Sequence, residues 1–214
     1  MDNTELRRFI AFCEDKQSDP IQIKRPKWDD MIKNYPGTSI KTCDLYTSIG
    51  GNFPKYKSDE DIPDYLINSC AIRMSRGLIL SGFHLPKSNT GGVMKGSDGY
   101  YWLRVRELSK YLEKTLKTPE FSVSLKKAKL GEEKEPLSTE QWEVLRNMKG
   151  IIMFNVSGWE DATGHFTLWD GSHLIYPGYE EHDDPNSEYY YFNMKYEDEG
   201  RVTQTDSIKL WELK

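Results

Sequence analysis

Apolar positions along this 214-residue chain follow two regimes, helical spacing through the first two thirds and alternation or short apolar runs in the last third. Leu6, Phe9, Ile10 and Cys13 recur at helical spacing behind Asn3 or Thr4 as a cap, which predicts an N-terminal helix over 1–13 before the polar run to Asp19-Pro20. On that helix Cys13 lies on the apolar face, as a small buried hydrophobe. Pro26 opens a second helix, with Trp28, Met31, Ile32 and Tyr35 on one stripe and a stop at Pro36-Gly37. Cys43 follows in a loop-like stretch before Gly50-Gly51. The strongest helical pattern covers 62–82, with Tyr65, Leu66, Ile72, Leu78 and Ile79 apolar and Gly82 as the stop; Cys70 lies within it, after Asn68-Ser69. Glycine-rich residues 86–99 show no periodicity and read as a surface loop. Val105, Leu108, Leu112 and Leu116 align on a helix over 102–116, and a charged connector over 126–136 leads to a short helix capped by Ser138 or Thr139.

From Gly150 the pattern changes. Residues 151–156 form a buried-strand run, and 165–169 alternate behind Gly164. Asp170-Gly171 is a hairpin signal, returning through His173 to Tyr176. Residues 188–196 and 207–213 complete the β part. Helices first and strands last predict an α+β domain with an antiparallel sheet.

Composition narrows the function. Lys and Arg number 29 against 34 Asp and Glu, a net charge of −5, which argues against duplex nucleic acid or an anionic bilayer as the partner. No apolar stretch approaches the roughly 20 residues that span a membrane, and Met1-Asp2-Asn3-Thr4-Glu5 begins no signal peptide, so synthesis in the cytoplasm without a leader is expected. The four histidines, His84, His165, His173 and His182, show no metal-ligand spacing, and no glycine loop sits between strand and helix; no cofactor or metal is expected. Three cysteines are a poor disulfide framework and leave at least one thiol free.

One of those thiols carries a chemical signal. Asn68-Ser69 places Cys70 near a helix N-terminus, where the free amides and helix dipole favour a thiolate. Far downstream, His165 starts a strand directly after Gly164, a small residue that leaves room beside an imidazole. A cysteine on a helix and a base on a sheet is the arrangement of a papain-like thiol hydrolase. The competing reading is a core cysteine and a surface histidine in a noncatalytic binding domain. An acyltransferase or transglutaminase on the same fold is a third reading.

Ser69-Cys70-Ala71-Ile72-Arg73-Met74-Ser75-Arg76, with Trp159-Glu160-Asp161-Ala162-Thr163-Gly164-His165-Phe166-Thr167-Leu168-Trp169-Asp170-Gly171, resembles the fourth family of type VI secretion amidase effectors. Trp28-Asp29-Asp30-Met31, Tyr35-Pro36-Gly37 and the stretch 46–51 are similar too. The resemblance runs from about residue 24 to the C-terminus, which leaves residues 1–22 as a helical extension to an amidase domain over 23–214. It implies a papain-like fold of the NlpC kind and cleavage of peptidoglycan stem peptides between D-glutamate and meso-diaminopimelate. It also implies injection into a rival's periplasm by type VI secretion components and neutralisation by a cognate immunity protein. Carried over, Cys70 is the nucleophile and His165 the general base. The resemblance further implies an aspartate about eleven residues after the histidine, where this chain has Tyr176. Asp170 is the nearest downstream acid and the leading alternative, although it also suits a hairpin turn; His173, Asp183 and Asp184 are others, and Asp161 suits support of the loop entering the strand. Arg73 and Arg76 are candidates to grip an acidic peptide. Trp159, Trp169 and the tyrosines at 189–191 are candidates to line its groove. The Cys70 amide is the expected oxyanion donor.

Overall fold

The structure is a computed structural model that describes residues 25–88 and 92–214 throughout; before residue 25 it describes only the backbone of four short strands, β1 (Arg7–Phe9), β2 (Phe12–Cys13), β3 (Lys16–Gln17) and β4 (Ile21–Ile23). β1 pairs antiparallel with β4, and β2 with β3. The helix expected over 1–13 is therefore replaced by strands at its described positions. Ladder pairing outweighs a short stretch of helical spacing. The side chain of Cys13 lies outside the described residues.

Five α-helices follow among the described residues of the first two thirds: α1 (Trp28–Asn34), α2 (Thr42–Ile49), α3 (Asp64–Ile67), α4 (Cys70–Leu80) and α5 (Val105–Leu116). α2 occupies the stretch read as a loop around Cys43; its first amides, those of Thr42 and Cys43, are capped from a distance by Asp59. A cap supplied 17 residues downstream of Thr42 leaves no local signal. The single helix expected over 62–82 is broken at Asn68-Ser69, so Cys70 becomes the first residue of α4. Inside the expected loop, β5 (Val93–Lys95) pairs with β6 (Tyr100–Trp102) across Gly96-Ser97-Asp98-Gly99.

The remaining elements are β7 (Phe121–Ser124), α6 (Thr139–Arg146), β8 (Gly150–Ser157), β9 (Gly164–Trp169), β10 (Lys195–Asp198) and β11 (Arg201–Glu212). They build an antiparallel five-stranded sheet in the order β10-β11-β8-β9, with β7 also on β11. β9 ends this order. Both sheet faces are covered, which is why β8 reads as an apolar run from Ile151 to Phe154. Ile151, Met153, Phe166, Leu168 and Trp211 pack against α1, α4 and α5 on one face. Ile152, Phe154, Val156, Trp169, Ile208 and Leu210 pack on the other, against Leu145 of α6 and the segment Tyr190-Tyr191-Phe192. That segment is turn-rich rather than a strand, so only its end, β10, matches the strand expected over 188–196. Three consecutive buried aromatics give no alternation to read. Among the described residues no helix is long and apolar enough to cross a membrane.

Candidate active site

α4 delivers Cys70 to the free edge of β9. The backbone of Phe166 projects off that edge in both polarities: its amide favours the Cys70 thiolate, and its carbonyl accepts the Tyr35 hydroxyl at 3.4 Å. N–H and C=O of one strand residue point the same way, so a residue at an outer edge offers both to whatever packs there. Cys70 is 7% exposed and its thiol is free. Burial pushes the thiol up, against the amides of Phe166 and Ala71, the Arg73 charge and the Cys70 amide, all of which favour the thiolate. As the first residue of a helix, Cys70 has an amide with no intrahelical partner, and the first bond of that turn runs from the Arg73 amide to the Ser69 carbonyl.

His165 precedes Phe166 and is also buried. Its Nε2 lies 2.7 Å from the Tyr176 carbonyl oxygen. A carbonyl can only accept, so the neutral ring is assigned with the proton on Nε2 and a lone pair on Nδ1. Burial pushes the imidazole down to about 4; the Tyr176 carbonyl opposes this, while His182 and Arg73 add to it. The ring stacks on Tyr191 at 4.9 Å and on Tyr176 at 5.7 Å. Gly164 serves the backbone rather than the imidazole: a Cβ there would sit 2.1 Å from the Phe154 carbonyl oxygen, at a φ of +155°.

The atom that meets His165 Nε2 belongs to the backbone. After β9 the chain turns at 170–173, forms the bridge between Trp169 and Leu174, and donates the Ile175 amide to the Leu168 carbonyl. This return brings residue 176 beside His165. Asp170, the acid expected there, is placed at the start of the turn. It stands five residues beyond His165 on the same strand direction, roughly 17 Å away. Its Oδ1 accepts instead from the amides of Ser172 and His173 and from the Ser172 hydroxyl, closing the turn. Asp183 is likewise engaged, with His173 and the Leu174 amide.

Arg73 and Arg76 do not present free guanidinium groups to a peptide. Arg73 is 2% exposed, and all its donors are taken: Nε by Ser69 Oγ, Nη1 by the carbonyls of Pro36 and Gly37, Nη2 by the Ile40 carbonyl and Thr42 Oγ1. Its guanidinium also lies 4.1 Å from the Tyr176 ring centroid. Arg76 pairs with Asp98 and donates to the Tyr101 hydroxyl. Three residues apart on a helix, one arginine turns inward and the other toward the β5–β6 turn. Trp159 donates its Nε1 to the Tyr196 hydroxyl and packs edge-on against Tyr191, behind the ring that stacks on His165. Trp169 donates to the Leu145 carbonyl on the far sheet face. Asn68 and Asp161, from the two sides of the site, are joined by a 2.6 Å hydrogen bond. Among the described residues, no group of His, Cys, Asp or Glu side chains comes together as a metal site.

The family model for the type VI secretion system amidase effector protein 4, Tae4, matches residues 66–211, a span that contains both Cys70 and His165. The chain belongs to the Tae4 family. One chain of the crystal structure of the effector Tae4 from Salmonella typhimurium in complex with the immunity Tai4 from Enterobacter cloacae is 26% identical. It aligns with a TM-score of 0.61 over 89% of this chain and 100% of its own. The type VI effector Tae4 from Enterobacter cloacae is 25% identical, with a TM-score of 0.61 over 89% of this chain and 98% of that one. The Tae4-Tai4 effector-immunity complex from Enterobacter cloacae gives a TM-score of 0.63 at 23% identity, over 89% and 99%. No curated protein sequence matches the chain.

Proposed function

We propose that this chain is a cysteine amidase of the papain-like, NlpC kind, with Cys70 as nucleophile and His165 as general base, acting on peptidoglycan stem peptides at the D-glutamyl–meso-diaminopimelate bond. In this reading residues 23–214 form the amidase domain and residues 1–22 extend it. The protein is a type VI effector, delivered into the periplasm of a target cell and neutralised by a cognate immunity protein. Membership of an amidase effector family supports the reaction class, and the complexes of similar effectors with Tai4 support the immunity partner.

The observation that carries the reading is the meeting of a buried helix-initial thiol with the Phe166 amide, one residue from a histidine whose Nε2 is already committed to a carbonyl. Burial holds both groups neutral at rest, the thiol by raising it and the imidazole by lowering it. The proton therefore moves as Sγ attacks: Nδ1 accepts it, sulfur bonds to the amide carbon, and the oxygen gains the negative charge. The Cys70 amide, which has no intrahelical partner at the helix start, donates to that oxygen. Collapse expels the amine, which takes the proton from Nδ1, and water then hydrolyses the thioester with His165 again as base.

Purified sacculi test this. Muropeptide chromatography is expected to show new free stem-peptide ends with the wild-type chain and none with Cys70→Ala or His165→Ala. Undiminished cleavage by either variant would sink the assignment.

A further inference from the structure

Tyr176 has three attachments beside His165. Its carbonyl meets Nε2 at 2.7 Å, its amide donates to Thr167 Oγ1 at 2.8 Å, and its ring lies under the Arg73 guanidinium at 4.1 Å. The same arginine donates to Ser69 Oγ at 3.0 Å, and Ser69 is the residue that precedes the nucleophile. Ser69 Oγ in turn lies 3.5 Å from the Tyr176 hydroxyl. Arg73 is itself fixed, because its remaining donors are taken by the carbonyls of Pro36, Gly37 and Ile40 and by Thr42.

We propose that the Tyr176 main-chain carbonyl replaces a side-chain carboxylate as the group that orients His165, and that Arg73 is the positioning residue that holds this carbonyl in register with the Cys70 helix. The inference rests on the cysteine-amidase reading for its kinetic consequence alone; the orientation of the ring is measurable without any substrate.

Two physical differences follow from using a carbonyl. A carboxylate orienter would carry a full negative charge and raise the imidazole; a neutral carbonyl fixes the tautomer with only a partial charge. And a carbonyl cannot be placed by its own rotamer, so its aim depends on what anchors the residue. Here the anchor is the tyrosine ring, in contact with both a cation and the His165 ring, with Thr167 holding the amide. Shortening the side chain removes the anchor while the carbonyl itself stays in the chain.

The test is ¹⁵N NMR of the full-length protein labelled at its histidine rings, with His165 assigned by its disappearance in His165→Asn. Wild type is expected to show His165 as a single Nε2–H tautomer. Tyr176→Ala and Arg73→Lys are expected to move it toward averaged tautomers, and Tyr176→Phe, which keeps ring and carbonyl, to restore the single-tautomer signature. On stem peptides, Tyr176→Ala is expected to lower kcat by about 100-fold with KM within about threefold, the signature of a misaimed base rather than lost substrate contact. An Nδ1–H tautomer in wild type overturns the proposal, and so does a Tyr176→Ala protein that keeps both the wild-type tautomer and kcat. If Tyr176→Ala does not fold, Tyr176→Leu takes its place under the same criteria. Inactivity of the wild type toward peptidoglycan, with the Nε2–H signature intact, counts against the amidase reading and leaves the orientation standing.

Discussion

Asn68 Nδ2 donates to Asp161 Oδ2 over 2.6 Å, tying the residue two before Cys70 to the residue four before His165. The bond lies at the surface, across 93 residues of sequence, and clasps the loop that starts the nucleophile's helix to the loop that starts the base's strand. Replacing either partner by alanine is expected to lower kcat/KM modestly. The double variant should be no worse than the poorer single one, with a coupling of about 0.5–1 kcal/mol because the pair is solvated. Full additivity would show that the clasp does not act as a pair.

Buried thiol and buried imidazole are both held neutral, which separates this site from one with a preformed thiolate–imidazolium pair. Alkylation of Cys70 by iodoacetamide is expected to keep rising with pH beyond the ordinary thiol value of about 8.5. A rate plateau already reached at neutral pH would contradict this.

The lowered imidazole also enters stability. Its folded value of about 4 lies below the ordinary 6.5, so between these values the unfolded chain binds the proton and the folded chain does not. Stability from this group is therefore unaffected above about pH 6.5, falls as pH drops toward 4, and levels off below. The full swing is about 3 kcal/mol. Urea titrations across that range should show a steeper acid loss for wild type than for His165→Asn, and parallel curves would refute the assignment of a buried neutral ring.

Arg73 is expected to be a stability residue first. Arg73→Ala takes the donor from the buried Pro36 carbonyl and the partly buried Ile40 carbonyl, while the Gly37 carbonyl keeps the Ile40 amide. An orphaned buried acceptor costs about 1–3 kcal/mol and a partly buried one less, so a loss of about 2 kcal/mol or more in denaturant unfolding is expected. A loss below about 1 kcal/mol would show that water replaces the guanidinium at no cost.

Asp170 offers a contrast. With its carboxylate spent on the amides of Ser172 and His173, Asp170→Ala is expected to cost about 1 kcal/mol of stability and to leave kcat on stem peptides within a few fold of wild type. A loss of 100-fold or more in kcat without unfolding would return Asp170 to the site.

Much of the frame was legible in the residues themselves. Asn68-Ser69 pointed to a helix start at Cys70, and Cys70 does head a helix, although the spacing over 62–82 hid the break before it; Gly164 opens the strand of His165; residues 151–156 read as a buried strand and form most of β8. Local signals suffice where the cause is local, a break, a period or a missing Cβ. The hairpin of β5 and β6, the helix around Cys43 and the N-terminal strands were not legible, because a distant cap or a partner strand decides each of them.

The sequence by itself determined the chemistry on offer: a thiol at a helix start, an imidazole at a strand start, and two arginines beside the thiol. Tertiary structure alone decided what each is for. It turned Arg73 inward, where carbonyls from a separate loop take its donors, and it closed Asp170 onto its own turn. It also gave the orienting role to a carbonyl at residue 176. Every residue carries a carbonyl, so no residue type announces that role; only the path of the chain returning along β9 does.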